Sequence, residues 1–439
     1  MSAVTIFDGL KNFVSGLGTG RDKSTATSYH YERIDRWQAE QMYASSWAAR
    51  KAIDLIPEDE TREWREWQAE QAEEIYKAER DFAVRAKVNL ARKWERLYGG
   101  AAILIGTGDP DPTEPFDVTR MRPGDLRYLH VLQRHDMQAV EWDDDIASPG
   151  FGKPVLYRVQ TGRMAAQVVI HASRLVIFDG MDAPREWREN NDGFGLSVLD
   201  YLSTAVTNAD TTSAATAALV HEATIDVVKI PELENYLGDA VSERKLIDRF
   251  QLAMRGKSLV NTLILGGDET YDRKTTTFAG LPDLMDKQHE VVAAALDMPL
   301  TRFMGRSPGG LNATGDNELR NYYDMIRARQ QTDLGGTIHP LDEVIKAHVG
   351  ATDDGVTYEW SPLWVPTPSE KATIEKTQAE VDQIYMNMGV FPADKFGQAI
   401  RDKLISEGTY PSLDQHVEPG DLEFIVPEFG GGGDEDERT

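Results

Sequence analysis

The chain contains no cysteine among its 439 residues. That excludes disulfide staples, thiol catalysis and zinc–thiolate sites, and it fits assembly in a reducing cytoplasm. No run of about eighteen apolar residues occurs, so no membrane span is expected. The first residues lack a basic segment followed by an apolar core, so a secretory signal is not expected either. Bases are scarce: 47 Lys and Arg stand against 73 Asp and Glu, a net charge of −26. A protein that grips DNA presents cations to phosphates and releases counterions. The chain as a whole cannot do that. A surface past which DNA slides would tolerate such charge, and otherwise it serves solubility.

Catalytic signatures are equally sparse. The nine histidines include no His-Glu-x-x-His pair, and no Gly-x-Ser-x-Gly or Walker motif is present. Gly16-Leu-Gly-Thr-Gly20 is neither Gly-x-Gly-x-x-Gly nor a P-loop and reads as part of an arm. Asp143-Asp-Asp145 reads as a solvated loop, and Asn190-Asn-Asp-Gly193 as a turn, since the closing bidentate Glu of a calcium loop is missing. No cofactor and no metal site is expected.

What is present is a folded composition, 41% hydrophobic and 9% aromatic, in a chain long enough for two or three core-bearing units. The organising stretch is Leu296 to Asp316. Upstream, Leu284, Met285, Gln288, Val291, Val292 and Leu296 recur at helical spacing; downstream, Leu319, Tyr322, Tyr323 and Ile326 do the same. Between them Pro299 stops the first helix. Gly305, Pro308, Gly309, Gly310 and Gly315 make an irregular loop whose exit Asn312, Thr314 and Asp316 suit as caps. A loop of that length between two strong helices points to function.

In chain order, Ile34 to Leu97 carries a helical pattern, with Pro57 closing one segment and Gly99-Gly100 ending a later one. Trp64-Arg-Glu-Trp67 reads as aromatic packing across a layer. Strands are expected at 101–105, 126–132, 137–142, 155–160, 167–170 and 175–178, in a mixed or antiparallel sheet. An Ala- and Thr-rich helix follows over 196–223, with small residues that permit close helix neighbours. A strand at 225–230, a helix at 242–255 and a strand pair 259–265 with 271–278 come next. Gly335-Gly336 and Pro340 are expected to break the helix that follows the loop, 341–349 to resume it, and 356–360 to form a last strand. From Tyr410 the chain is loop-like and ends in an acidic tail.

The series "SSWAARKAIDLIPEDETREWREW", "ARKWERLYGGAAILIG", "VVIHASRLVIFDG", "DMPLTRFMGRSPGGLNATGDNELRNYYDMI" and "YEWSPLWVPTPSEKATIEKTQAEVDQIYMNMGVF" resembles the tailed-phage portal (head–tail connector) proteins over roughly residues 30–410. The resemblance implies an α+β portal fold: a wing of helices plus mixed β-sheet, a helical stem, a small α/β clip and a short helical crown. The segments it implies are an N-terminal arm (1–30), wing (31–195), first stem helix (196–223), clip (224–279), second stem helix (280–298), tunnel loop (299–317), long wing helix with returning strand (318–366), crown (367–409) and C-terminal tail (410–439). It also implies a ring, usually of twelve subunits, at one capsid vertex of the virion, assembled in the host cytoplasm. The ring passes double-stranded DNA and meets the terminase large subunit, the major capsid and scaffold proteins and a head–tail adaptor. By position Arg302, Arg306, Ser307, Asn312 and Thr314 would face DNA, and Arg244, Lys245, Arg249, Arg255 and Lys257 in the clip would bind terminase or adaptor. Arg302 reads equally as the partner of a neighbouring subunit's acid.

Two other classes stand beside this. A related phage family joins a portal-like region to a two-histidine phosphodiesterase that counters host defence. Its site needs two His-x-Ser/Thr motifs, one imidazole as base and one as acid. This chain has one, His171-Ala-Ser173, so a structural role is expected for His171 and no enzymatic activity for the chain. A non-channel head–tail adaptor is the other class, though it would not need two long helices around an insertion.

Overall fold

The computed structural model describes residues 33–109, 111–160, 167–221, 224–229, 241, 244–245, 247–249, 251, 270–275, 280–305, 316–351, 355–364, 368–389 and 392–406. The chain divides into two compact units, the first ending at Leu363 and the second beginning at Trp364.

The first unit opens on α1 (Arg36–Ser45), started by a capping box in which Asp35 and Gln38 satisfy each other's backbone N–H groups. Ser46 caps α2 (Trp47–Arg62), which buries Ala48, Ala49, Ala52, Ile53 and Ile56. Pro57 lies inside this helix and does not close it, contrary to the sequence expectation. The missing N–H costs one bond, but packing on both sides holds the helix, and the Pro57 carbonyl accepts from Thr61 Oγ1 (2.7 Å) and Asn89 Nδ2 (3.0 Å). The helical run expected to reach Leu97 is interrupted by a strand, β1 (Arg65–Gln68), which alternates buried and exposed residues. Helices α3 (Ala72–Asp81) and α4 (Val84–Tyr98) follow, and Gly99 ends α4 in the left-handed conformation.

Next come β2 (Gly100–Gly106), β3 (Tyr128–Gln133), β4 (Met137–Trp142), β5 (Pro154–Val159), β6 (Val168–His171) and β7 (Leu175–Asp179). They form two small antiparallel sheets ordered β3-β2-β7 and β4-β5-β6. Of the mixed and antiparallel alternatives, the antiparallel one is found among the described residues. One face of the first sheet lies under α4 and the helix over 335–349; the other packs on the second sheet through Leu132, Tyr157, Ile170 and Leu175. A short helix α5 (Arg185–Glu189) then leads to α6 (Val198–His221), the strands β8 (Thr224–Lys229) and β9 (Thr270–Thr275), and α7 (Leu281–Ala295). The 271–278 strand was expected to pair with 259–265, which lies outside the described residues; its observed partner is β8, antiparallel from Thr224↔Thr275 to Lys229↔Thr270. Helices α6 and α7 share one core through Leu202, Val206, Ala209, Val292 and Ala293. The strand leaving one and the strand entering the other are thereby brought together. The described positions between 241 and 251 are helical.

After α8 (Leu300–Met304), the chain is next described at α9 (Asp316–Arg329), which runs through a π-helical turn at Gln330–Leu334 straight into α10 (Gly335–Val349). The break expected at Gly335, Gly336 and Pro340 does not occur. The wide turn, closed by Gly335 N–H to the Gln330 carbonyl, keeps the axis going while buried Gln330 donates to the carbonyl of Glu60 at 2.8 Å. The strand β10 (Thr357–Trp360) returns to pair with β1. Between these strands Arg65 is sealed from solvent, its guanidinium 4.6 Å from the Trp67 and Tyr358 ring centres, with Glu79 at 2.8 Å and Asp342 at 2.5 Å. The aromatics of Trp64–Trp67 are thus packing residues around one buried cation.

The second unit contains α11 (Pro368–Asn387) and α12 (Ala393–Ser406). Ile374, Ile384 and Met388 are exposed. Among the described residues no helix is long and apolar enough to cross a membrane. The segments 1–30 and 410–439 lie outside the described residues.

Three backbone segments meet at glycines. A Cβ on Gly180 would lie 2.5 Å from the Gly99 and Leu196 carbonyl oxygens, and one on Gly195 would lie 2.3 Å from that of Met181. This contact fixes the entry into α6 against the ends of α4 and β7. Gly180→Ala is therefore expected to destabilise the fold by about 1–3 kcal/mol in chemical denaturation. Gly336→Ala, on an open helical position, should stabilise it by up to about 1 kcal/mol. Burial, with Arg134, Arg36 and Arg33 nearby, pushes the His135 imidazole down to about 4. A neutral histidine in the fold that would charge when unfolded removes stability as pH falls from about 6.5 toward 4. His135→Phe, which retains the edge contact with Tyr98, should show a shallower fall of melting temperature over that interval.

Candidate functional site at the foot of the 306–315 loop

At the end of α7 the chain reverses in four residues. Asp297 takes a left-handed backbone (φ 54°) and Met298 N–H bonds to the Ala293 carbonyl at 3.0 Å. Pro299 then starts α8, and Gly305 at φ 71° ends it. Pro299 was expected to stop one helix ahead of an irregular stretch beginning at Gly305; between the two, 300–304 is helical, with Phe303 fully buried in the core it shares with α2 and α7. Pro299 both stops one helix and opens the next.

The two feet of the loop, α8 before it and α9 after it, are tied to one carboxylate. Asp59 of α2, fully buried, accepts a bidentate pair from Arg302 (Nε 2.9 Å, Nη2 3.0 Å) and the hydroxyl of Tyr322 (2.8 Å). The hydrogen bond to Asp59 raises Arg302 further, and burial with the same anion nearby raises the Tyr322 phenol. Lys51 Nζ donates to the Phe303 carbonyl at 2.5 Å, satisfying a terminal carbonyl of α8. Burial and the nearby Arg302 charge lower its pKa. Trp47 completes the foot, edge-on to His289 at 4.9 Å and tilted against Phe303 at 5.6 Å. One residue further along α2, Glu60 is held by Arg92 through two contacts of 2.9 Å, and Arg92 also meets Glu95 at 2.6 Å. Burial pushes Glu95 up to about 7 and Arg96 down to about 10.

The structure thus places Arg302 against an acid of its own chain, leaving its side chain 28% exposed. Arg306, Ser307, Asn312 and Thr314 lie outside the described residues. Arg244, Lys245 and Arg249 are on described helical positions and are exposed, whereas Arg255 and Lys257 lie outside. Sequence reasoning missed Asp59, Lys51 and Tyr322. The available signal was an acidic run, Glu58-Asp-Glu60, continuing the phase of an apolar helical face.

Elsewhere, the motif residues serve turns. His171 Nδ1 accepts the Ser173 N–H at 3.1 Å and lies 2.8 Å from its hydroxyl, and Ser173 Oγ accepts Phe116 N–H at 2.7 Å. Asp192 holds Arg134 at 3.1 Å and the Ala139 N–H at 3.2 Å. Asp143 accepts from the Asp145 N–H and the Ser148 hydroxyl.

Residues 37–384 match the family described as phage portal protein. Two relatives carry the name Anti-CBASS protein Acb1. The one from Caulobacter sp. (strain RHG1) is 37% identical over 430 residues, covering 94% of this chain and 68% of that protein. The one from Sphingomonas paeninsulae is 34% identical, covering 97% and 69%. An uncharacterized protein of Haemophilus influenzae is 29% identical over 406 residues, 91% of each chain. The fold is shared with the neck of an empty GTA particle computed with C6 symmetry (TM-score 0.51, 15% identity, 84% of this chain and 94% of that one) and of a native GTA particle computed with C12 symmetry (TM-score 0.50, 14%, 85% and 95%).

The expectation that the chain is no enzyme is overturned by these names, which belong to the class set aside on a motif count. The match covers 68% and 69% of those two proteins, so part of each lies outside it. Counting His-x-Ser/Thr motifs within this chain therefore could not exclude an activity.

Removing the shared anion tests the foot. Asp59→Ala leaves Arg302 and Tyr322 without it and should cost about 3 kcal/mol. Arg302→Met in the same background should recover part of that loss, measured by urea unfolding as a double-mutant cycle.

Proposed function

Because the chain belongs to the phage portal protein family, we propose that it forms a ring, of about twelve subunits, at one capsid vertex and passes double-stranded DNA during packaging and ejection. The match over residues 37–384 carries this reading. The C12 and C6 symmetry of the neck structures that share the fold supports a closed ring in a virion. In it α6 and α7 are the stem helices, 224–279 the clip, 31–195 with 318–366 the wing, 299–317 the tunnel loop and 367–409 the crown. The loop reaches toward DNA with Arg306, Ser307, Asn312 and Thr314. Arg302, neutralised by Asp59, holds the loop's foot, so the positive collar rests on Arg306. Copies of one arginine around a ring contact phosphates without base specificity, and the overall charge of −26 keeps that grip weak. Arg244, Lys245, Arg249, Arg255 and Lys257 of the clip dock terminase or a head–tail adaptor, and the wing meets capsid and scaffold proteins.

Native mass and negative-stain images of the purified protein should give a ring of about a dozen subunits with a central hole. A protein that stays monomeric even with capsid and scaffold proteins would overturn the reading. Arg306→Glu should leave the ring intact and impair packaging or DNA retention; normal packaging by that variant removes Arg306 from the channel.

A second reading is favoured by the relatives' names: a portal-like phosphodiesterase that counters host defence. Incubation with cyclic oligonucleotides tests it directly. Hydrolysis that is lost in His171→Ala assigns the activity to this chain and that residue; no hydrolysis sinks this second reading and leaves the ring measurement to decide the first.

A further inference from the structure

The two small sheets do not close on each other along their whole length. At the free edges of β3 and β6 a cleft of about 590 Å³ opens between them, floored by Leu104, Val131, Val159 and Ile170. Val168, 41% exposed, stands at its rim, opposite a stacked pair, Tyr128 on His130, with ring centres 4.6 Å apart. Gly106 makes this possible, because a Cβ there would lie 2.2 Å from the Tyr128 ring. Such a cleft is large and apolar enough to take several side chains of a binding segment.

At the far end the cleft shares Thr107, Asp109 and Arg174 with a second, polar cavity of about 190 Å³. Asp111, Glu114, Asp117 and Asp125 line that cup against only Arg120 and Arg174. Arg174 is already bonded to Asp109 at 2.8 Å and to two backbone carbonyls. Hydrogen bonds from Arg174, Thr113 and Thr119 hold Asp109, Asp111 and Asp117 below the usual carboxylate range, so the cup stays anionic. The matching occupant is an apolar segment followed by cations.

This chain contains such a segment. Ile6, Phe7, Leu10, Phe13 and Val14 are followed, after Gly16-Leu-Gly18, by Arg21 and Lys23. It joins the described fold at Arg33, which bonds Asn191. The twelve steps from Arg21 to Arg33 span up to about 40 Å when extended, which is the reach over which the segment can meet the cleft of the same or a neighbouring copy. We propose that the chain's own residues 6–23 dock in the cleft between β3 and β6, with Phe13 and Val14 against Tyr128 and Arg21 and Lys23 over the acidic cup. The proposal does not depend on whether the protein is a portal or an enzyme.

The absence of cysteine gives a clean background for a test on the full chain. Phe13→Cys is combined with Val168→Cys, or with Ile146→Cys as a control, which is 83% exposed and not in the cleft lining. Under mild oxidation the first pair should form a disulfide at least tenfold faster than the control. Within one chain it shifts gel mobility; between copies it gives covalent multimers. Arg21→Glu with Lys23→Glu should reduce that rate several-fold. Equal rates for the two pairs overturn the proposal. So does rapid maleimide labelling of the single variant Val168→Cys, which would show an empty cleft. Slow labelling without cross-linking to Phe13→Cys also overturns it, since another partner would then cover the site.

Discussion

Two adjacent carboxylates on α2 organise the first unit. Asp59 and Glu60 are both fully buried, and an ion buried without a partner costs several kcal/mol. Each therefore dictates what packs beside it. Asp59 requires Arg302 and Tyr322, which brings α8 and α9 to the same point. Glu60 requires Arg92, which locks α4 across α2. The Glu60 carbonyl in turn takes Gln330 from the π turn. Half a helical turn thus anchors four other elements. Such pairs contribute little net stability against an apolar core of the same shape, but they penalise every arrangement that separates the partners. What they secure is position.

That position is passed to the helices on either side of residues 306–315. Ten residues between Gly305 and Asp316 enter and leave through helices pinned to one buried anion, so the span between the feet is set by α2. The Arg302 charge at the foot is consumed internally by Asp59. Two relatives of this chain carry the name Anti-CBASS protein Acb1, and fold alone does not choose a role. His171, in the one His-x-Ser/Thr motif of the sequence, caps the turn between β6 and β7.

The sheet region was the most legible part of the sequence. Strands at 100–106, 137–142, 154–159 and 175–179 fall within a residue or two of where alternation and apolar runs put them. Local breaker rules did worse. Pro57, Gly335 and Pro340 all sit inside helices because tertiary packing outweighs a single lost hydrogen bond. The strand at Arg65–Gln68 hid in a charged, aromatic stretch because one of its two buried residues, Arg65, is a cation, which hydrophobic patterning cannot score. The Asp59 clamp joins residues 243 and 263 positions apart in the chain. No spacing rule connects them; only the fold does.

Across the junction in the long helix, the buried residues Tyr322, Ile326, Gln330, Leu334 and Ile338 are separated by four positions each. On a regular α-helix, eight residues from Ile326 to Leu334 overshoot the starting direction by about 80°. A stripe so spaced would wind off the surface it serves. The wide turn at 330–334 returns the surplus, so that α9 presents its buried face to the core around the loop while α10 presents its own to the core beneath β1 and β10. The helix is in this sense a phase coupler between two cores. A twist imposed at the loop end would reach the sheet end through one under-wound turn, the only place in the described helix where the winding is already out of step.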